Sequence, residues 1–166
     1  GSVSSLPQFA RAIDYAAGRL RQEGHHIGAI VAHSLGANAA AYAVSRGIPL
    51  QRLVLIAPPA SPRAYTRYFA KVFGLSEPTR SAVKKRMEGR KGVLMQQLDP
   101  PAVAPRIRVP TLVVHDRGDR VNAFADGQAF AHAITGAQLL ATEGLGHRKV
   151  LKDPGVVGRI VMFARG

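Results

Sequence analysis

Ser34 closes the stretch Ile27-Gly28-Ala29-Ile30-Val31-Ala32-His33-Ser34, and Leu35-Gly36-Ala37-Asn38-Ala39-Ala40 follows at once. An apolar run thus ends in small-His-Ser-x-Gly and passes directly into an alanine-rich segment. A serine at the tip of a tight strand-to-helix turn sits in a strained backbone conformation with its hydroxyl exposed. Such a turn needs tiny residues on either side of the serine, because larger side chains collide across it. Ala32 and Gly36 fill those positions. A helix that begins right behind the serine aims free N–H groups, that of Leu35 first, at any oxyanion formed there. The same pattern also suits a serine that only caps a helix, so this window alone leaves both readings open.

Nucleophilic catalysis by serine needs two further groups. A histidine takes the hydroxyl proton, and a carboxylate holds the histidine tautomer and stabilises its charged form. In a parallel α/β sheet these groups collect beyond the carboxyl ends of the strands. Two later segments carry them in order. An apolar run from Val109 ends in His115-Asp116-Arg117-Gly118-Asp119-Arg120-Val121, and a short one from Ala137 leads to Glu143-Gly144-Leu145-Gly146-His147. The glycines beside His147 permit a loop that swings its imidazole toward the serine. Asp116 and Asp119 compete for the acid role.

His33 touches the serine in sequence, but a neighbouring side chain points away from it, so a buried structural role is expected. His25, His26, His115 and His132 lack ligand spacing. Surface or supporting roles are expected for them, with no metal and no cofactor. Arg148 and Lys149 read as solvated charges.

The elements that must position these groups follow from periodicity. Ser5-Leu6-Pro7-Gln8 reads as a capping box with proline in the first turn. Phe9, Ile13, Ala16, Ala17 and Leu20 recur at helical spacing until Gly24. Strands are expected at Ile27–Ala32, Arg52–Ala57, Val109–His115 and Ala137–Ala141. Helices are expected at Gly36–Ser45, Ala123–Ile134 and Pro154–Ala164, the last with an apolar face of Val156, Val157, Ile160, Val161 and Phe163. The first two strands are apolar on both faces, as in a parallel sheet covered by helices. The fold class is therefore α/β: a parallel sheet of about four strands flanked by helices. From Ser61 to Arg108 the alternation breaks into basic, helix-period pieces punctuated by proline and glycine. This reads as a helical lid insert within a single domain of residues 1–166.

The 166 residues suffice for one real core, and there is no cysteine, so neither a disulfide nor a thiolate site exists. No apolar run is long enough to span a bilayer, and no signal peptide is visible; the expected compartment is cytoplasmic. A net charge of +13 raises nucleic acid as a partner. The arginines are scattered, however, and no aromatic-and-basic alternation on strands offers a stacking platform. Nucleic acid is not expected as a partner, and neither is a membrane.

With these segments in place the chain resembles an α/β-hydrolase from its first helix to its end. His33-Ser34-Leu35-Gly36 resembles the family's nucleophile elbow, Leu112 to Val121 its acid-bearing strand and turn, and Gly144-Leu145-Gly146-His147-Arg148 its histidine loop. In that family the acid lies three residues after a position usually held by glycine. Asp116 occupies the glycine position, so the resemblance implies Asp119 as the acid, with Asp116 bonding the turn backbone. It implies a catalytic set of Ser34, Asp119 and His147, with the Leu35 N–H in the oxyanion hole, acting on a small-molecule ester or thioester. Tyr65, Tyr68, Phe69 and Phe73 of the insert are expected to wall an acyl site.

The family sheet normally has eight strands, and this chain accounts for the last four. A partial fold is expected, the carboxyl-terminal portion of a larger hydrolase lacking the loop that gives the second oxyanion N–H. The strand Ile27–Ala32 would then be a bare edge that recruits a second copy into a homodimer. The competing function is a catalytically impaired hydrolase fragment that serves as a basic binding or oligomerisation module.

Overall fold

The computed structural model describes residues 6–61, 70, 73–91 and 95–166. Helix α1 (Leu6–Gln22) leads into β1 (Ala29–His33), α2 (Leu35–Ser45) and β2 (Arg52–Ile56). Helix α3 (Glu77–Lys91), a 3-10 turn (Met95–Leu98), the short α4 (Pro100–Val103) and a second 3-10 turn (Ala104–Arg106) precede β3 (Thr111–Asp116). Then come α5 (Phe124–Ala133), β4 (Gln138–Thr142), the single turn α6 (Gly146–Lys149) and α7 (Pro154–Arg165).

The four strands form one parallel sheet in the order β1-β2-β3-β4. Side chains of β2 alternate between two apolar layers, as period-two geometry requires. Leu53 and Leu55 pack with Ala37, Ala40, Ala41 and Val44 of α2 and with Phe130 of α5. Val54 and Ile56 pack on the opposite face with Val150 and with Val156 and Ile160 of α7. Leu53, Val54 and Leu55 are completely inaccessible to solvent. Truncating either leucine to alanine is expected to cost about 2–5 kcal/mol.

Three details differ from the sequence reading. Strand β1 begins later and ends later than expected, because Ile27 and Gly28 use their carbonyls on Gln51 N–H, before the ladder, while His33 pairs with Ile56. Helix α1 packs on α2 through Leu6, Ala10 and Ala17, whereas Phe9 and Leu20 of the expected stripe lie exposed. Its apolar sector is simply wider than the surface α2 offers. Likewise Val156 and Ile160 of α7 are buried, but Val157 and Val161 are not.

The insert is not uniform. Its last part belongs to the body, since Leu98, Val103, Ala104 and Ile107 are buried against α1, α2 and α5. Asn38 of α2 fixes the neighbourhood by donating its side-chain amide to the carbonyls of Pro59, 2.9 Å, and Leu98, 3.2 Å. Ser5, Tyr65, Tyr68 and Phe69 lie outside the described residues.

Candidate active site

Ser34 links β1 directly to α2 and adopts φ 54°, ψ −128°, a region non-glycine residues rarely occupy. Its N–H is held by the Ile56 carbonyl at 2.8 Å, and its own carbonyl receives the first helical bonds from Ala37 and Asn38. The serine stands at the N-cap position, yet its hydroxyl makes no capping bond. The hydroxyl is therefore available for chemistry. Leu35 and Gly36 precede the first intrahelical donor, so their N–H groups are among those a helix cannot satisfy itself.

His147 Nε2 lies 3.0 Å from Ser34 Oγ, and His147 Nδ1 lies 2.7 Å from Asp119 Oδ2. The Asp119 side chain is fully buried and that of His147 is 11% exposed. A carboxylate can only accept, so Nδ1 carries the proton and Nε2 presents its lone pair to the serine. Asp119 Oδ1 accepts from the N–H groups of Val121, 2.7 Å, and Asn122, 3.0 Å, which fixes the carboxylate in its turn. Ser34, Asp119 and His147, separated by as many as 113 positions, thus form one continuous relay.

Asp116, the competing acid, does not touch His147 through its carboxylate. Oδ1 accepts from Gly118 N–H at 2.9 Å; Oδ2 accepts from Thr142 Oγ1 at 2.8 Å and Leu145 N–H at 3.0 Å. Burial pushes this carboxyl up, but the bonds from Thr142, Gly146, Leu145 and Gly118 outweigh it and hold the carboxyl below its ordinary value. Asp116 therefore stays ionised and ties the acid turn to the histidine loop. Gly144 at φ 76° and Gly146 at φ 61° supply the left-handed corners that loop needs.

His33 is placed differently from the simple expectation. Its Nε2 donates to the His147 carbonyl at 2.9 Å, and the two rings lie 4.6 Å apart. Burial holds its imidazole below the ordinary value, against the hydrogen bond to His147 that pulls it up. It is a neutral brace for the histidine loop. His115 is fully buried behind Asp119, its Nε2 being 3.1 Å from the Asn122 carbonyl and 3.5 Å from Asp119 Oδ2. Its position at the end of an all-buried strand was the signal for burial. Asn122 and Asn38 carried no such signal. Phe73 is 62% exposed. Among the described residues no cluster of three or more His, Asp or Glu could hold a metal ion, and no helix is long and apolar enough to cross a membrane.

The family model for serine hydrolases matches residues 5–155. The chain belongs to the serine hydrolase family. This hydrolase is similar in structure to BpoC of Mycobacterium tuberculosis H37Rv, assigned as a non-heme bromoperoxidase. The TM-score is 0.72 at 15% identity, covering 98% of this chain and 75% of that one. It is similar to a hydrolase from Pseudomonas aeruginosa PA01, with a TM-score of 0.68, 20% identity and coverage of 99% and 73%. A monoacylglycerol lipase from Paleococcus ferrophilus matches with a TM-score of 0.66, 17% identity and coverage of 98% and 76%. At these identities the likeness establishes the α/β-hydrolase fold. No curated protein matches the sequence.

Proposed function

We propose that this hydrolase cleaves an ester or thioester of a small molecule, with Ser34 as nucleophile, His147 as general base and Asp119 orienting it. The observation that carries the reading is the relay from Asp119 through His147 to a strained, uncapped Ser34. Ser34 Oγ bonds to the carbonyl carbon, its proton passes to His147 Nε2, and the carbonyl oxygen takes the negative charge. The Leu35 N–H is the donor proposed to stabilise that oxygen. When the carbon–oxygen or carbon–sulfur bond breaks, His147 returns the proton to the departing alcohol or thiol. Water then repeats the sequence on the acyl-serine, releasing a carboxylic acid and free Ser34.

In the same reading the part of the insert ahead of Leu98 is the lid, and Tyr65, Tyr68, Phe69 and Phe73 are the residues proposed to meet the acyl group. Covalent labelling by a fluorophosphonate, compared between the wild-type protein and Ser34→Ala, tests the reading. Stoichiometric labelling that disappears in the variant supports it, and no labelling of the wild-type protein contradicts it.

The edge strand β1 is proposed to pair with a second copy. Supporting this, Val31 is 50% exposed and Phe9 and Leu20 of α1 are uncovered. Light scattering should then give twice the chain mass, falling to the monomer in Val31→Lys; a wild-type monomer at high concentration refutes the pairing.

A further inference from the structure

Asn122 is 4% exposed and lies between Ser34 and Asp119. Its N–H donates to Asp119 Oδ1 at 3.0 Å, and its carbonyl accepts from His115 Nε2 at 3.1 Å. Its side-chain Nδ2 lies 2.7 Å from the Ala57 carbonyl and 3.5 Å from Ser34 Oγ. One residue therefore touches both ends of the relay, the acid through its backbone and the serine through its side chain.

The chemistry of the partners fixes how the amide is turned. The Ala57 carbonyl only accepts, so the atom facing it is the NH2 group and not the amide oxygen. Ala57 is itself held in place: it has φ 46°, rare for a residue with a Cβ, and its N–H is bonded to the Val114 carbonyl at 2.7 Å. With one amide hydrogen committed to Ala57, the other is the one that reaches Ser34 Oγ. A hydroxyl that accepts from this side has its own hydrogen free for His147 Nε2.

We propose that Asn122 is a further catalytic residue, whose side-chain amide donates to Ser34 Oγ and directs the serine proton toward His147. The proposal rests on Ser34 being the nucleophile. As that proton leaves, charge gathers on Oγ, and a donor already aimed at it stabilises the attacking oxygen without reorganisation. The contact is long in the resting site, which suits a bond that strengthens as charge develops. Asn122 lies on the β2 and β3 side of the serine, and its amide acts on the attacking oxygen, whereas the Leu35 N–H serves the carbonyl oxygen.

The test compares the wild-type protein with Asn122→Leu, which keeps the bulk and removes the donor, and Asn122→Ser, which retains a hydroxyl donor in a smaller side chain. The rate of fluorophosphonate labelling is measured alongside the melting temperature. Folded Asn122→Leu should label about tenfold more slowly than wild type, with Asn122→Ser between them. A rate within twofold of wild type in a folded Asn122→Leu protein overturns the proposal while leaving the nucleophile assignment standing. Absence of labelling in the wild-type protein removes both.

Discussion

Replacing Asp116 with alanine removes a buried side chain that ties the acid turn to the histidine loop. The residue is 1% exposed, so its donors, Thr142 Oγ1 and the N–H groups of Gly118, Leu145 and Gly146, would be left without their acceptor in the interior. Bonds to an ionised group contribute about 1.5–3 kcal/mol each, offset by the desolvation of a buried carboxylate. Water entering the vacated space also recovers part of the loss. A net destabilisation of about 3 kcal/mol is expected. For a chain of this length that lowers the melting temperature by about 6–12 °C. Activity should fall further than stability implies, because Leu145 stands two residues before His147. A displacement of about 1 Å in a general base costs on the order of a hundredfold in rate. Thermal melts paired with fluorophosphonate labelling at a temperature where the variant is folded read both effects. The sign of the pH effect also follows. The folded carboxyl titrates below its unfolded value, so its contribution is complete above about pH 4 and is lost as pH falls through the folded value. A variant that melts within 2 °C of wild type at pH 7, or that labels at the wild-type rate, would show that this carboxylate does not hold the two loops together.

Other consequences can be checked separately. The folded His33 imidazole titrates below its unfolded value, so the unfolded state binds more protons once pH drops below about 6.5. Wild-type stability should decline between pH 7 and pH 5, and thermal melts of His33→Gln across that range should show a shallower decline. Gly127 packs against His115: a Cβ there would come within 2.9 Å of the His115 Cβ and Cγ. Gly127→Ala should cost about 1–3 kcal/mol by overpacking, seen as a lowered denaturation midpoint.

Much of the architecture was readable because it is written in local patterns. Apolar runs such as Leu53–Ile56 have one stable placement, buried on both faces between helices. The elbow, the acid turn and the histidine loop each follow a strand, so topology alone brings them to one end of the sheet. What the sequence hid are bonds between distant segments. Asn122 reaching Ala57, Asp116 reaching Leu145 and His33 reaching the His147 carbonyl span 65, 29 and 114 positions. No spacing rule reports such pairs. Helical period likewise gives the apolar sector of α1 but not how much of it a neighbour covers. Leu98, Val103 and Ile107 lay among prolines that suggested an external insert, yet their apolar character was the part that decided their place.

The central claim is that Ser34 is activated by His147 and Asp119. The most direct measurement is hydrolysis of short-chain p-nitrophenyl esters by the wild-type protein and by Ser34→Ala, His147→Ala and Asp119→Ala singly and combined. Residues that act as one unit give strongly non-additive losses. In Ser34→Ala kcat should fall by several orders of magnitude to a small residual rate, and adding the His147 or Asp119 change should cost little more. Hydrolysis near the wild-type rate in Ser34→Ala, or losses that multiply across the three sites, would contradict the claim.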